Sequence, residues 1–576
     1  MQPIESKRWV IAPVIPEDIQ EQLSGYHRLL QQLLYNRGIV TKEAVDVYVK
    51  NKGSLHDPFL FKGMEAAVVR LQSAVENGEK ITVFGDYDCD GVCATALLVD
   101  FLTTIDADVN GYIPDRFNEG YGLNKEAIGK IAEDGTQVMI TVDCGIRSSA
   151  EVEQANALGM DVILTDHHLP GEVIPPALAV LDHKQEDDEY PDKNLCGAGI
   201  AYKLVEAYLT RFPREDVSPG TWLDLAAVAT VADIVPLDGE NRAIVKAGLE
   251  EIRLGDRLGL AVLIRAAGQN EKTMRASNIA FGIGPRINAA GRISSAQNAL
   301  QMLLSKDPHE ATTLAQALDD LNGERQKKTT TIQELAEEQT QQSGDPFLIF
   351  AASPDFHMGV VGLAASRLTE TYYRPSVACD IGEEFARASC RSIPEFHITS
   401  ALEECEDLFD VSLGERFGGH AAAAGFTIGV EKLDTLRERL SAIAKRELEG
   451  KTLLPTVRVD VSFNFTYLLR NREGIFKLVQ LLEPTGTEND PVLFAARNLR
   501  VVNSTLVGKD KSHLRITLSD GYSTETAIAF RQGHWRSHMP EYVDILFTLD
   551  ENFFRGRLSY QIQVRDIRAH IEEEGI

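Results

Sequence analysis

Three short clusters hold the residue types that bind divalent metals: Gly85-Asp86-Tyr-Asp88-Cys-Asp90-Gly91, Thr141-Val-Asp143-Cys-Gly and Leu164-Thr-Asp166-His167-His168. Brought together, these five carboxylates and two imidazoles describe a site for two divalent ions ~3.5–4 Å apart, bridged by a shared carboxylate. Such a pair clamps a phosphoryl group and activates water, so the chemistry read here is phosphodiester hydrolysis. Neutral imidazole among oxygen ligands suits Mn2+ or another borderline ion, and carboxylates with water suit Mg2+; manganese is the first expectation. A fourth acid, Asp233, ends the small apolar run Leu225-Ala-Ala-Val-Ala-Thr-Val-Ala. Helix C-termini disfavour negative charge, so an acid there calls for a cation.

Each cluster follows a β-branched apolar run (80–84, 138–142 and 161–165) and precedes a helix-like segment. In an open parallel α/β sheet, loops at the carboxyl ends of neighbouring strands converge on one crevice. If the backbone stays extended, Asp86, Asp88 and Asp90 lie on one side of it. Taken singly, the pieces have plainer readings. The first is also a solvated loop with a helix-capping Asp, or a calcium loop that lacks its twelfth-position acid. Asp143 is also a turn former, and a lone His a hydrogen-bonded core imidazole.

Taken in order, Asp-x-Asp-x-Asp-Gly, Thr-Val-Asp, Asp-His-His and Thr-Val-Ala-Asp resemble the DHH phosphoesterase superfamily. The stretches Ile113-Pro-Asp-Arg116-Phe-Asn-Glu-Gly-Tyr-Gly, Gly197-Ala-Gly-Ile-Ala-Tyr, Gly284-Pro-Arg286-Ile-Asn288-Ala-Ala-Gly-Arg292, the run from His357 to Arg367 and Gly418-Gly-His420-Ala-Ala-Ala-Ala-Gly resemble its bacterial RecJ branch. That branch comprises exonucleases that degrade single-stranded DNA 5′ to 3′, releasing mononucleotides in repair and recombination. The resemblance implies that Asp88 and Asp143, with Asp86, hold one metal, and that Asp90, Asp143, His167 and Asp233 hold the other. Asp143 is then the bridge, and His168 faces the scissile phosphate.

Two metals attack any phosphodiester placed between them, so polarity needs a pocket that measures the terminus. By resemblance, Arg116, Ser389 and Arg391 form a 5′-phosphate site, and guanidinium forks suit that task. The plainer reading of Arg116 is a surface ion pair with Asp115 or Glu119. The chain departs from the family at Ala388-Ser389-Cys390-Arg391-Ser392, where glycines often flank the Ser; a side chain there is expected to narrow the phosphate's approach. Arg286, Asn288 and Arg292 alternate around small residues in a layout suited to backbone phosphates. His420 is placed beside the nucleic-acid path, with a capped glycine turn as its plainer reading.

A chain of 576 residues needs several cores. Its net charge of −28 repels nucleic acid, so any basic track must be local, favouring a threaded groove over a broad face. Seven cysteines without a C-x-x-C pair read as reduced thiols. No apolar stretch reaches the length of a membrane span. The expectation is a cytoplasmic monomer acting on single-stranded DNA, and the resemblance adds a single-strand-binding protein and a helicase as partners.

The fold expected is α/β. A helical segment, 1–55, braces a doubly wound parallel-sheet DHH domain, 56–306. A helix at 307–343 begins at Asp307-Pro-His-Glu310 and joins it to a smaller α/β DHH-associated domain, 344–450; two helices broken at Gly323 are the alternative. Residues 454–572 alternate as short strands, beginning with one at 456–465, and the resemblance makes them an OB-fold barrel. Its bases and aromatics, Lys509, Lys511, His513, Arg515, Phe530, Arg531, His534, Trp535, Arg536, Phe553, Phe554, Arg555 and Arg557, suit stacked single strands, although many such aromatics fill barrel cores. The barrel reads as separable: ending the chain after Leu448 should leave every proposed ligand in place. Two other readings compete: hydrolysis of short oligoribonucleotides or cyclic dinucleotides, whose enzymes resemble only the first two domains, and a non-catalytic scaffold, which filled ligand positions argue against.

Overall fold

The computed structural model describes residues 4, 6–51, 55–115, 119–120, 122–509, 511–554 and 557–571, the side chains of 552–558 excepted. It divides into two compact units. The first comprises Thr41–Glu324 with Leu482–Pro491; the second comprises the chain up to Val40, Arg325–Leu481 and the chain from Val492 onward.

In the first unit five parallel strands lie in the order Val109–Tyr112, Ile81–Gly85, Val138–Val142, Asp161–Thr165, Ala179–Leu181. Their apolar residues alternate between two cores. Ile81, Val83, Val138, Ile140, Val142 and Ile163 join helices Met64–Asn77, Cys89–Thr104, Gly197–Arg211 and Leu223–Ala232, whereas Phe84, Met139, Val162 and Leu164 meet Lys125–Glu133 and Ser149–Ala157. Both faces are covered, which is why these strands read as continuous apolar runs. This is the doubly wound α/β sheet expected from the sequence. Strand order reverses at Ile81–Gly85, so the loops after Gly85 and Val142 flank the switch crevice.

Two helices carry acids to that crevice. Cys89–Thr104 is capped by Asp88, whose carboxylate accepts the N–H groups of Asp90 (2.9 Å) and Gly91 (3.1 Å), a cap worth about 1 kcal/mol. Leu223–Ala232 is buried along almost its whole length and ends at Asp233. It stops because Ile234 is left-handed (φ 62°) and Val235 precedes Pro236, which disfavours helix. Arg257 ties the two helices together, donating to Asp224 (2.6 Å) and Asp100 (3.1 Å). Asp100 also accepts from Trp222 (3.0 Å) and Lys306 (3.0 Å).

The second unit holds a sheet in the order Arg416–His420, Ala423–Gly429, Phe385–Arg391, Ser376–Ile381, Ile349–Ser353, in which only the last pair is parallel. Helices Met358–Tyr372 and Leu433–Leu448 accompany it. It also holds the C-terminal barrel: Phe494–Val507, His513–Ser519, Thr524–Ala529, Arg557–Ala569 and Tyr542–Phe554, with Phe494–Val507 pairing Tyr542–Phe554 to close it. A single 36-residue helix, Pro308–Ser343, passes Gly323 without a break, and Asp307 accepts the N–H groups of His309 (2.7 Å) and Glu310 (3.1 Å) at its start.

Three expectations are corrected. The run 456–465 is two short strands, Thr456–Val459 and Val461–Ser462, followed by a 16-residue helix, Phe465–Gln480. Asn464 caps that helix by accepting from Tyr467 N–H (3.0 Å), and Phe465, Leu468, Ile475 and Phe476 form its buried stripe, a helical period among residues that read locally as strand. The N-terminal segment, as far as Val40, belongs to the second unit. Arg8–Ile11 is a strand parallel to Thr456–Val459, and Trp9 donates to Asp566 (2.7 Å) beneath the Arg568 guanidinium. Finally, Leu482–Pro491 belongs to the first unit, so the segment beyond Leu448 is not separable from the metal-site fold.

Arg257→Met would leave the Asp224 carboxylate buried without its cation. Urea denaturation should show a loss of about 3–5 kcal/mol; a loss below about 1 kcal/mol would mean that the pair does not hold the two helices.

Candidate metal centre

The proposed ligands reach one place because strand ends and helix starts deliver them there. Asp143 follows its strand directly and is itself left-handed (φ 60°), a conformation Asp tolerates better than most residues. The packing permits no extra atoms. A Cβ at Gly197 would lie 2.6 Å from Asp143 Cβ, and one at Gly91 2.5 Å from the Asp86 nitrogen. Asp86, Asp88 and Asp90 do not form the extended row expected, because the helix begins at Cys89 and places Asp90 in its first turn.

The ligand atoms fall into three groups, each within 4.8 Å: Asp86, Asp88 and Asp143; Asp90, His167 and Asp233; Asp143, His167 and His168. Asp143 therefore belongs both with Asp86 and Asp88 and with the histidines. His167 Nε2 faces three carboxylates, at 3.1 Å from Asp143, 3.7 Å from Asp233 and 3.8 Å from Asp90.

Electrostatically the cluster is unbalanced without a cation. Burial, then repulsion from neighbouring carboxylates, raises Asp90 to about 7, Asp233 to about 9 and Asp143 well above the usual carboxylate range. Burial lowers His167 to about 3, so its imidazole is neutral, the form that binds metal. Asp143 Oδ1 is buried with no hydrogen-bond donor. Acceptors that face one another with nothing to donate between them fit divalent cations, and the carboxylate and imidazole set fits Mn2+ or Mg2+.

Asp166, counted in the sequence reading among the five metal-site carboxylates, falls outside the three ligand groups and supports them instead. Asp166, almost wholly buried, accepts from His168 Nδ1 (2.8 Å) and from the backbone N–H groups of Ile146 (2.9 Å), His167 (2.7 Å) and His168 (3.1 Å). It orients the histidine pair, as carboxylates behind metal-site histidines do. That hydrogen bond raises His168 against the opposing effect of burial, and nearly half of its side chain remains exposed, able to meet a substrate. The N-terminus of helix Gly197–Arg211 grips Asp90, with Gly197 N–H at 2.6 Å and Ala198 N–H at 2.8 Å. The glycines of Gly197-Ala-Gly were the available signal. Cys89, Cys144 and Cys196 are buried thiols pushed well upward, and Cys196 caps helix Gly197–Arg211 by accepting Gly199 N–H.

The residues expected to meet DNA are less uniform. Arg286 is engaged by Asp319 (2.7 Å) of helix Pro308–Ser343 and by the Gly282 carbonyl (2.7 Å), and Asn288 accepts Cys89 N–H (2.8 Å) at the start of helix Cys89–Thr104. Arg292 is half-buried on the same helix, Gly284–Ile293. In the second unit Arg391 donates to Ser389 Oγ (2.9 Å). Ala388 and Cys390 are buried on the opposite strand face, so their side chains do not narrow the approach to Ser389 and Arg391, contrary to expectation. His420 is exposed on its hairpin. In the barrel Trp535 is buried, whereas Phe530 is half exposed beside His513. Arg116 lies outside the described residues, as do the side chains of Phe553, Phe554, Arg555 and Arg557.

The sheet and its ligand groups define a metal-dependent hydrolase of the DHH type, and residues 80–230 match the DHH family N-terminal domain. Residues 344–446 match the DHHA1 domain and 459–566 the RecJ OB domain. The single-stranded-DNA-specific exonuclease RecJ of Bacillus subtilis is 36% identical over 567 residues, spanning 97% of this chain and 70% of that one. Crystal structures of Thermus thermophilus RecJ superpose with a TM-score of 0.82 for the Mn2+ complex (31% identity, 99% of this chain, 80% of that one) and 0.76 for the Mg2+ complex (30%, 99%, 79%). The chain belongs to the RecJ family.

The raised carboxylates fix the sign of a pH effect. Between the unfolded value near 3.9 and the folded values up to about 9, the metal-free fold binds more protons than the unfolded chain, so its stability falls as pH rises. Thermal unfolding of metal-free protein should drop from about pH 6 to about pH 9, and saturating Mn2+ should abolish the drop while releasing protons on binding. A metal-free midpoint that is flat across that range would contradict the raised carboxylates.

Proposed function

We propose that this chain degrades single-stranded DNA from its 5′ end by hydrolysing successive phosphodiesters and releasing mononucleotides. The supporting observation is the shared position of Asp143 between Asp86 and Asp88 on one side and His167, Asp90 and Asp233 on the other. Asp86, Asp88 and Asp143 would hold one ion, and Asp90, Asp143, His167 and Asp233 the second. Such ions would supply positive charge beside the scissile phosphate oxygens and lower the pKa of an attacking water. Asp166 holds His168 Nδ1, so its Nε2 is the atom presented to a non-bridging oxygen, where it donates as charge builds. The narrow loops around Asp143 keep the ligands from moving apart as charge shifts.

Polarity in this reading comes from Ser389 and Arg391 counting a terminal phosphate, a role that the family resemblance extends to Arg116. Arg286 and Asn288 shape the helices behind the strand's path, with Arg292 and His420 meeting its backbone. The barrel grips the strand through Phe530, Arg531 and neighbouring bases. A cytoplasmic monomer working with a single-strand-binding protein and a helicase in repair and recombination completes the proposal. Among the described residues no helix is long and apolar enough to cross a membrane.

End-labelled single strands of both polarities, digested with Mn2+, should lose mononucleotides from the 5′ end only, and a chelator should stop the reaction. Release from the 3′ end would overturn the proposed direction. Asp143→Ala should lower turnover by several orders of magnitude, and His168→Ala should lower turnover while keeping Mn2+ bound, as metal analysis would show. Arg391→Ala should treat 5′-phosphate and 5′-hydroxyl strands more alike; unchanged discrimination would place the pocket elsewhere.

A further inference from the structure

The loop Leu482–Pro491 is packed into the metal-site unit by a buried cation. Arg242, 2% exposed, donates through Nη1 to the carbonyls of Leu482 (3.0 Å) and Pro484 (2.7 Å) and through Nη2 to that of Glu483 (2.7 Å). Its guanidinium lies 3.9 Å from the ring centroid of Tyr48. Asn489, also buried, donates to the Pro484 carbonyl (2.7 Å) and accepts from the Tyr48 hydroxyl (2.7 Å). Three carbonyls around one guanidinium give the loop a fixed shape, because each donor in the planar fork points in its own direction.

That fixed shape is applied to one neighbour. The Thr487 carbonyl accepts Leu237 N–H (2.9 Å), and Gly486 sits so close that a Cβ there would lie 2.6 Å from Leu237 Cδ1. Leu237 is 2% exposed and lies four residues beyond Asp233. Between them Ile234 is held left-handed although the residue is 70% exposed. A β-branched residue in that region is strained and persists only where the surroundings over-determine it. Helix Leu223–Ala232 fixes one end of the turn, and the Leu237 contacts fix the other.

We propose that Leu482–Pro491 is a strap that sets the position of the Asp233 carboxylate, with Arg242 and Asn489 as positioning residues acting through it. This rests on Asp233 being a metal ligand. The turn is too short to absorb a shift of Leu237, so a shift there rotates Asp233 relative to Asp90 and His167. The strap thus makes a segment lying between the helix Phe465–Gln480 and the barrel strand Phe494–Val507 part of the metal site.

The test is Mn2+ affinity of the full-length protein, read by electron paramagnetic resonance titration alongside the denaturation midpoint and the split between kcat and KM. Asn489→Ala and Gly486→Val should weaken Mn2+ binding by roughly tenfold or more, the scale of losses behind metal ligands, and lower kcat with KM for single-stranded DNA unchanged. Tyr48→Phe, which removes one hydroxyl, should act in the same direction more weakly and stands in if the stronger variants do not fold. Leu71→Ala, a core truncation at a fully buried position of the same unit, should lower the midpoint without changing Mn2+ affinity. Wild-type affinity in Asn489→Ala, Gly486→Val and Tyr48→Phe, with weakened affinity in Asp233→Asn, would overturn the strap alone. Unchanged affinity in Asp233→Asn would remove Asp233 from the metal site and the strap's role with it.

Discussion

Mutual repulsion among buried carboxylates is the constraint on which the rest of this structure depends. Asp90 and Asp143 are buried and Asp233 largely so, pressed together in one crevice, and none of them is paired with a lysine or arginine among the described residues. Folding alone does not repay that arrangement; a pair of divalent cations does. The surroundings are built to hold the acids in place until the cations arrive. The Asp88 cap, the N-terminus of Gly197–Arg211 on Asp90 and the Asp166 bonds behind the histidines each use backbone N–H groups, donors that cannot swing away.

The same constraint explains the choice of small residues. Gly91 and Gly197 let backbone approach Asp86 and Asp143 more closely than any side chain would permit. Asp143 adopts a left-handed backbone to turn its carboxylate toward both ligand groups, and Ile234 carries strain next to Asp233. Strain gathered at metal ligands is consistent with a site whose geometry is set before substrate binds. It also accounts for fixing such turns from outside, through Arg257 on one side and the Arg242 loop on the other.

Much of this was legible in the sequence. The continuous apolar runs before Asp86, Asp143 and Asp166 pointed to the parallel sheet, and the rule that loops converge at strand ends brought the clusters together. Asp233 was recognised because an acid at a helix C-terminus needs a cation. What the sequence hid was non-local or depended on exact register. Helix Phe465–Gln480 was missed because its aromatic and β-branched neighbours look like strand until the buried spacing is seen. Ala388 and Cys390 were misjudged because a one-residue step along a strand reverses the face. The partners of Arg286 and Asn288, Asp319 and the Cys89 amide, were also hidden, because nothing in a sequence shows which distant groups engage a side chain.

The central claim is that two ions share Asp143, and anomalous diffraction from crystals grown with Mn2+ tests it most directly. Two peaks ~3.5–4 Å apart, both within bonding distance of the Asp143 carboxylate, are the expected result. A single peak, or a second ion that does not touch Asp143, would contradict it.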